Sequence, residues 1–504
     1  MLKFNKTTTK QVIEKYKWSV LKDMAEPSFE YMEDNRQHTM FLTQCSSGNK
    51  EAKEYVIQKI RESLDDKVTP NDKKIVLEEI SKEISSFQNK QYEKFDLKSF
   101  SDNQERRISY YQLIELSASQ KQYHTLNNYA KRLEDKELAI EILANEIYKQ
   151  EYGIGVIDDI FEMRLNNIEV HDINKIRVEV ADGNWYTISD LKVERSELVR
   201  MYARRLLSQN SGGDLTDDDC ERESSLEDGS RVTVALKPAS ATDTIFIKKF
   251  DNFTITPEEM LENGTVTKEA IEDMKILGKG RSNQVTIGGV NTGKSTFLKM
   301  YIGLLPKELK IGLVDPSKDT DLITLYPERD IVILYETPHY SMNDQFMKLL
   351  RMNRQILGIS EARSCEVEQA IKGMLRGNSG SFLTLHTTRA ADVVDNIAWM
   401  CLESGMPQDI RVLRSRIASA VDIIYRIKHF PNGARRLDEM SELIPTGDLE
   451  NPFKVVKIHE WDYKTNRLVR NKDYKPSEEL IDKLRYYGCS EEEIERFSNG
   501  KYDI

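Results

Sequence analysis

Residues 285–298 have the sequence Val-Thr-Ile-Gly-Gly-Val-Asn-Thr-Gly-Lys-Ser-Thr-Phe-Leu. An apolar strand leads here into a glycine-rich turn and then into a helix. The spacing G-x-x-x-x-G-K-S from Gly288 to Ser295 is that of a P-loop (Walker A motif), in which glycines let backbone N–H groups surround phosphate oxygens. The amphipathic segment 296–305 supplies the helix that the motif requires. The stretch therefore predicts a nucleoside-triphosphate site.

The residues predicted to contact the nucleotide lie in this loop and at the start of its helix. They are Gly288, Gly289, Asn291, Thr292, Gly293, Lys294, Ser295 and Thr296. Lys294 supplies a positive charge to the phosphates, and Ser295 is a predicted ligand of Mg²⁺. The helix that begins at Lys294 adds the positive end of its dipole.

Length, charge and cysteine usage limit the class of protein. At 504 residues the chain is too long for one core, so two to four domains are expected. The net charge of −11 gives no support for nucleic-acid binding. The five cysteines are far apart and include no C-x-x-C pair, so neither a disulfide framework nor a zinc site is predicted.

The hydropathy pattern indicates in which cellular compartment the chain is expected. No apolar run approaches the roughly 20 residues that span a bilayer, and residues 1–6 lack the apolar core of a signal peptide. We therefore expect a cytoplasmic chain that reaches a membrane only through partners.

Periodicity and composition divide the chain into five segments. They are a helical N-terminal module (1–150), an α+β domain (151–255), a helical linker (256–283), a P-loop ATPase core (284–445) and a C-terminal hairpin with a helical tail (446–504). Asp182-Gly183 predicts a hairpin turn in the α+β domain. In the core, strand-like runs alternate with helical ones, which predicts a mostly parallel sheet with helices on its faces.

Polar side chains follow three strand-like runs of the core. Glu336 comes after 331–335, Glu361 after 356–360 and His386 after 382–385. In a parallel sheet such strand ends lie near the P-loop, where acidic side chains serve Mg²⁺ and the attacking water. A single glutamate after a strand is typical of a solvated end, but three polar strand ends behind one P-loop favour a catalytic site.

These motifs resemble those of the secretion ATPases of type II and type IV systems, and most closely the branch that serves tight-adherence (Tad) pili and type IV secretion. The sequence from Ser360 to Arg363 is similar to the family's Walker B sequence Gly-Glu-x-Arg, residues 377–388 resemble its His box, and Glu336 falls where its Asp box lies. The resemblance covers roughly residues 140–470. Three departures are Ser360, where the family has glycine, the sequence Glu336-Thr337-Pro338, where further acidic residues are usual, and Ser224-Ser225, around which the family commonly has an arginine.

The resemblance implies a RecA-like P-loop ATPase core behind an α+β domain, with ATP and Mg²⁺ as ligands. It implies a cytoplasmic homohexamer that hydrolyses ATP and drives pilus assembly or protein secretion through an inner-membrane platform protein. Catalytic roles fall on Lys294, Glu336, Glu361 and His386, with Glu361 serving the metal and Glu336 polarising water.

Basic residues outside the P-loop are expected to compensate phosphate charge. Arg231 and Lys248 occupy strand positions where the family's N-terminal domain closes over the nucleotide, although basic residues on half-buried strands are also common at surfaces. Arg351 and Arg363 are further candidates, with an intersubunit or structural role.

Two alternative functions stay open. The altered Asp and Walker B boxes are consistent with a nucleotide-binding regulator that has lost hydrolysis. A nucleic-acid motor ATPase is the other alternative, against which the net charge of −11 counts.

Overall fold

The computed structural model describes residues 9–25, 32–46, 49–90, 106–117, 128–173, 175–180, 183–207, 215–249, 256–318, 320–337, 339–403, 409–430 and 433–502. The chain divides into two compact units, Met1–Asp251 and Asn252–Ile504. Among the helices of these described ranges, none has the length and apolarity needed to cross a bilayer.

Helices dominate the beginning of the first unit. The described residues of this unit include the helices α1 (Thr9–Ala25), α2 (Met32–Gln44), α3 (Lys50–Leu64), α4 (Pro70–Lys90), α5 (Tyr110–Leu116), α6 (Lys136–Glu151), α7 (Val156–Phe161) and α8 (Ser196–Leu207). Helix α3 begins where the Asn49 side chain accepts a hydrogen bond from the Ala52 N–H. Its apolar residues recur every four positions, so Val56 and Ile60 share one buried stripe that packs on α6.

A seven-stranded sheet completes the described part of the first unit. Its strands are β1 (Arg107–Ile108), β2 (Leu165–His171), β3 (Lys175–Val180), β4 (Trp185–Ile188), β5 (Glu221–Ser225), β6 (Arg231–Ala235) and β7 (Thr244–Lys248). They are ordered β1-β4-β3-β2-β7-β6-β5, and all pairs except β1 with β4 are antiparallel. Strand β1 therefore joins the α+β sheet, although it lies within the interval 1–150. Asp182 of the predicted hairpin turn lies outside the described residues.

The second unit is built on a nine-stranded sheet of the described residues. Its strands are β8 (Gln284–Ile287), β9 (Ile311–Val314), β10 (Ile331–Leu334), β11 (Ile356–Ile359), β12 (Phe382–Leu385), β13 (Ile423–His429), β14 (Arg435–Pro445), β15 (Phe453–Asp462) and β16 (Arg467–Arg470). Strands β10-β9-β11-β12-β8-β13 are parallel, and β14, β15 and β16 extend the sheet antiparallel. The prediction of a mostly parallel α/β core is confirmed.

Helices cover both faces of this sheet. They are α9 (Pro257–Glu262), α10 (Lys268–Lys279), α11 (Lys294–Leu304), α12 (Leu322–Leu325), α13 (Met342–Arg351), α14 (Glu366–Leu375), a 3₁₀ turn (Ala390–Asp392), α15 (Val393–Leu402), α16 (Ile410–Ala420), α17 (Glu478–Tyr486) and α18 (Glu491–Asn499). Apolar residues of α9, α10, α11, α17 and α18 share one core with one face of the sheet. Apolar residues of α13 to α16 form a second core against the other face.

The segment interpreted as a linker, 256–283, is packed inside the second unit. Its helices α9 and α10 bury Met260, Met274 and Leu277 in the first of these cores. Lys279 of α10 forms an ion pair with Glu493 of α18, at 2.7 Å between Nζ and Oε2. The C-terminal helices are therefore part of the same packed body as the segment 256–283.

Candidate nucleotide-binding site

The predicted P-loop follows β8, and its backbone has the features that the motif requires. At Gly288 an added Cβ would lie 2.5 Å from the carbonyl oxygen of Ile427 on β13, so the neighbouring strand leaves no room for a side chain. Gly293 has φ +92°, in the left-handed region that favours glycine. Helix α11 starts at the next residue, Lys294, without a side-chain cap, so its first N–H groups are available to an anion.

The Lys294 side chain is buried and turned toward the loop. Its Nζ donates hydrogen bonds to the carbonyl oxygens of Gly288, at 3.1 Å, and Gly289, at 2.8 Å. The same Nζ lies 3.3 Å from Nδ1 of His386. The charge predicted to stabilise phosphate is thus held at the loop and next to the end of β12.

A chain of polar contacts continues from His386 across the strand ends. Nε2 of His386 lies 3.0 Å from Oε1 of Glu361, whose Oε2 accepts a hydrogen bond from Arg363 at 2.6 Å. The sheet order explains this arrangement, because β12 lies beside β8 and β11 lies beside β12. Three predicted catalytic residues, Lys294, His386 and Glu361, are therefore joined in one chain.

The Glu361 carboxylate is held in its ionised form. Burial acts to raise the pKa of Glu361, but the hydrogen bond and charge of Arg363, together with His386, outweigh it and lower the pKa below its ordinary value. The hydrogen bond with Glu361 in turn raises the pKa of Arg363. At neutral pH Glu361 is therefore negatively charged and Arg363 is positively charged.

Glu336 occupies a different position from the other predicted catalytic residues. It follows β10, the edge strand, and β9, β11 and β12 lie between this strand and β8. Four strand spacings of about 4.8 Å correspond to roughly 19 Å across the sheet. Within the described part of the chain Glu336 is exposed and forms no hydrogen bond, but its charge contributes to raising the pKa of Arg363. Pro338 of the predicted Asp box lies outside the described residues.

The remaining predicted loop residues cluster as the motif requires. Thr292 is buried and its Oγ1 donates to the Gly289 carbonyl oxygen at 3.0 Å, which tightens the turn. Ser295 and Thr296 are half-buried at the start of α11. The hydroxyl of Ser295 is therefore at the helix end toward which a phosphate-bound Mg²⁺ would face, and an oxygen ligand suits this hard cation.

Arg231 and Lys248 belong to the first unit. They face each other directly across β6 and β7, since Arg231 pairs with Lys248 in the register. Val232 and Ile247, next to them in the strands, are fully buried, so the two basic side chains are on the opposite face of the sheet. Arg351 is the last residue of α13 and is exposed.

Asp315 is a buried carboxylate that the sequence analysis missed. It follows β9 and accepts hydrogen bonds from Ser360 Oγ at 2.6 Å, Thr320 Oγ1 at 2.8 Å and Ser317 Oγ at 3.0 Å. Ser360, the departure from the family's glycine, thus ties the Walker B strand to β9. Glu361 was identified because it follows an apolar strand. Asp315 also follows an apolar strand, so the same pattern marks it as a candidate site residue.

Arg435 is a second missed residue. It is the first residue of β14, and its Nε donates to the backbone carbonyl oxygen of Asn291 at 3.0 Å. The two residues are far apart in the sequence, and no local pattern marks Arg435 as a neighbour of the P-loop.

The fold and the site define a P-loop protein with a RecA-like α/β core. Residues 222–442 match the family model described as Type II/IV secretion system protein. The match covers less than half of the chain and agrees with the family that its motifs resemble.

A curated relative matches a shorter stretch. An uncharacterized protein of Bacillus anthracis, pXO2-25/BXB0023/GBAA_pXO2_0023, is 25% identical over 104 residues, which are 21% of this chain. The match spans only 24% of that relative's length.

Solved structures with similarity to the chain include three from secretion and pilus systems. The VirB11 ATPase of the Brucella suis type IV secretion system, in complex with sulphate, is 18% identical, with a TM-score of 0.31, over 55% of this chain and 89% of that one. The ATPase DotB of Legionella pneumophila is 15% identical, with a TM-score of 0.40, over 68% and 85%. The pilus retraction motor PilT with bound ADP is 14% identical, with a TM-score of 0.39, over 68% and 96%. With TM-scores this low, the fold assignment rests on the strand order and P-loop of this chain.

Proposed function

We propose that the chain hydrolyses ATP and that this hydrolysis powers pilus assembly or protein secretion. The observation that carries the proposal is the chain of contacts from Lys294, at the start of α11, through His386 to Glu361, which follow the adjacent strands β12 and β11. The family match of residues 222–442 supports the biological context.

The residues of the P-loop fit ATP with Mg²⁺. The left-handed Gly293 and the uncapped start of α11 suit phosphate oxygens, and Ser295 is the proposed Mg²⁺ ligand within the loop. When bound, Mg²⁺ neutralises phosphate charge and fixes the orientation of the β- and γ-oxygens. Lys294, now bonded to two loop carbonyls, would exchange these contacts for phosphate.

His386 and Glu361 would act beside the terminal phosphate. His386 lies between Lys294 and Glu361, so it is placed to sense whether Lys294 bonds to the loop or to phosphate. Glu361 is ionised and held by Arg363, which suits a carboxylate that orients metal-bound or attacking water.

The positions of the two glutamates favour Glu361 over Glu336 as the residue that polarises water. The sequence assigns water polarisation to Glu336, but its strand is at the sheet edge, and only its charge reaches Arg363. In our proposal Glu336 acts on the Glu361–Arg363 pair, and a direct role requires movement of the segment after β10 toward β12.

The assembly and its partners are proposed from the family. We propose a cytoplasmic homohexamer of the Tad or type IV branch that works through an inner-membrane platform protein. Arg231 and Lys248, adjacent on one sheet face, would compensate phosphate charge when the first unit closes over ATP.

A nucleotide-binding regulator without hydrolysis is the second candidate. The separation of Glu336 from the Lys294 chain favours it, because one of the two acidic residues expected at the γ-phosphate is then absent from the site.

Phosphate release and oligomeric state, measured with and without ATP·Mg²⁺ on the full chain, separate the two candidates. Hydrolysis that accompanies a hexamer by light scattering supports the motor. Tight ATP binding without phosphate release supports the regulator and contradicts our first proposal.

A further inference from the structure

Arg435 contacts the P-loop at Asn291, a residue with a positive φ that is not glycine. Asn291 has φ +58°, a left-handed conformation that is uncommon for residues other than glycine. Nε of Arg435 donates to the Asn291 carbonyl oxygen at 3.0 Å, and one terminal guanidinium nitrogen donates to Oδ1 of Asn291 at 3.2 Å. A planar fork of donors therefore holds both the backbone and the side chain of one residue.

The stem of the same arginine packs against the second left-handed residue of the loop. A Cβ added at Gly293 would lie 3.1 Å from Cδ of Arg435. Asn291 and Gly293 are the two residues of the loop whose left-handed conformations turn the chain toward α11. Arg435 thus contacts both turning points of the P-loop.

We propose that Arg435 is a positioning residue that holds the P-loop in its phosphate-binding shape. The proposal rests on the nucleotide site described above, and it adds a residue from a distant strand to that site. The loop binds phosphate through backbone N–H groups, whose directions depend on the conformations of Asn291 and Gly293. A loop fixed before binding loses less conformational entropy when the nucleotide enters.

The start of β14 is itself fastened to the turn between α9 and α10. The Leu437 N–H donates to the Thr265 carbonyl oxygen at 2.9 Å. Thr265 Oγ1 lies 3.0 Å from the Arg435 carbonyl oxygen and 2.6 Å from Asn263 Oδ1, which share its one proton. Arg436 donates to the carbonyl oxygen of Asn263 in the same turn. The position of Arg435 at the loop therefore depends on the turn 263–265, which gives the proposal a second site to test.

Arg436 provides a matched control. It is the next residue of the same strand, and its guanidinium bonds to Asn263 and lies 6.0 Å from the Trp461 ring centroid. Arg436→Ala removes the same charge from the same strand and leaves the two Arg435–Asn291 hydrogen bonds in place.

The test measures the affinity of the full chain for a fluorescent ADP with Mg²⁺ by titration, together with the thermal unfolding temperature. We expect Arg435→Ala to weaken ADP binding about tenfold, the scale of a lost charge-assisted hydrogen bond. Arg435→Lys should recover part of the loss, because lysine can donate to the Asn291 carbonyl oxygen. Thr265→Val and Arg436→Ala each remove one contact between β14 and the turn 263–265, so each should weaken binding by a smaller factor than Arg435→Ala does.

Asn291→Gly gives a variant that keeps the left-handed backbone and the carbonyl acceptor. Its effect and that of Arg435→Ala should be non-additive, because both remove the contact with Oδ1. If turnover is measurable, KM for ATP should rise in Arg435→Ala more than kcat falls.

Equal ADP affinity of Arg435→Ala and wild type, in folded protein, overturns the proposal. So does an equal loss in Arg436→Ala, since the effect would then follow charge alone. Should Arg435→Ala fail to fold, the ADP affinities of Arg435→Lys and Asn291→Gly are measured by the same titration. Affinities equal to that of wild type in both variants then overturn the proposal. If wild type binds ADP but does not hydrolyse ATP, the proposed function is contradicted, whereas the positioning role of Arg435 is not.

Discussion

At the scale of single residues, the Glu361 carboxylate has both oxygens engaged. Oε1 meets His386 and Oε2 meets Arg363, while His386 also meets Lys294. A nucleotide that draws Lys294 away from the loop carbonyls changes the surroundings of His386 and therefore of Glu361. The chain of contacts offers a physical route from phosphate binding to the proposed catalytic carboxylate.

Glu361→Gln tests this role against that of Glu336. We expect it to lower ATP turnover by about 10²-fold or more, the usual scale for loss of a general base. Glutamine keeps the shape of Glu361 but loses the negative charge of the carboxylate that contacts His386 and Arg363. Glu336→Gln should have a smaller effect, because its carboxylate acts only through the field at Arg363.

Phosphate release at saturating ATP, with ATP affinity measured in parallel, distinguishes the two variants. Glu328→Gln, an exposed glutamate near β10, serves as the control. A larger loss in Glu336→Gln than in Glu361→Gln would return the water-polarising role to Glu336.

Which single residues could be predicted depends on how local their pattern is. Lys294 and Ser295 follow from the P-loop spacing, because the motif lies within a few residues of one chain segment. The contact between Arg435 and Asn291 spans 144 residues and exists only because β13 and β14 follow β8 in the sheet. Asp315 directly follows the apolar run of β9, so the same local pattern that marks Glu361 also marks Asp315.

At the scale of elements, the junction of α6 and α7 contains a carboxylate with an unfavourable environment. Asp158, in the first turn of α7, accepts a hydrogen bond from the Ile154 N–H at 2.6 Å. Burial raises the pKa of Asp158 to about 6, although Lys53 of α3, at 3.7 Å, opposes the rise. The helices around it are therefore packed against a group whose charge is costly.

The first unit should lose stability as pH rises between the two pKa values of Asp158. In the unfolded chain the carboxyl has an ordinary pKa of about 3.9, so between that value and about 6 the folded state binds more protons. Its contribution to stability is then fully present below about pH 4 and is lost as pH approaches 6. Asp158→Asn should flatten this slope, because asparagine can still accept from Ile154.

Calorimetric unfolding of the full chain from pH 4 to 7 measures this slope. Asp219→Asn, on an exposed site of the same unit, controls for a change in net charge. An identical pH dependence in Asp158→Asn and wild type would contradict the assignment of the slope to Asp158.

The elements themselves were more predictable than their packing. Strand β12 has the predicted bounds and β11 ends one residue before the predicted run, because short apolar runs between turn signals are typical of buried strands. The sequence indicates that α10 is part of a linker, whereas the structure packs it into the core of the second unit. The spacing of Met274 and Leu277 marks an apolar stripe, but it does not identify α11 and α18 as the surfaces that cover it.

At the scale of the whole molecule, the two units suggest where the chain can be divided. Within the second unit Asp273 of α10 is fully buried and accepts a hydrogen bond from His459 Nε2 at 2.6 Å. Arg470 and Tyr502 also donate to Asp273. A boundary at 280 would remove this carboxylate and leave buried donors without an acceptor.

A fragment of residues 252–504 should therefore fold, whereas a fragment of residues 280–504 should be strongly destabilised. We also expect the longer fragment to bind ADP and to hydrolyse ATP poorly, because it lacks Arg231 and Lys248. Circular dichroism, ADP titration and phosphate release on both fragments check these expectations. Full turnover by 252–504 would rule out a role of the first unit in closure over ATP.

Whether this P-loop hydrolyses ATP is measured by phosphate release from ATP·Mg²⁺, with the full wild-type chain compared with Lys294→Ala. Lys307→Ala is the control, since Lys307 lies just beyond α11 with an exposed side chain. We expect wild type and Lys307→Ala to release phosphate at the same rate and Lys294→Ala to fall to the background rate. Release by Lys294→Ala within a few fold of wild type would contradict the assignment of this P-loop as the site of hydrolysis.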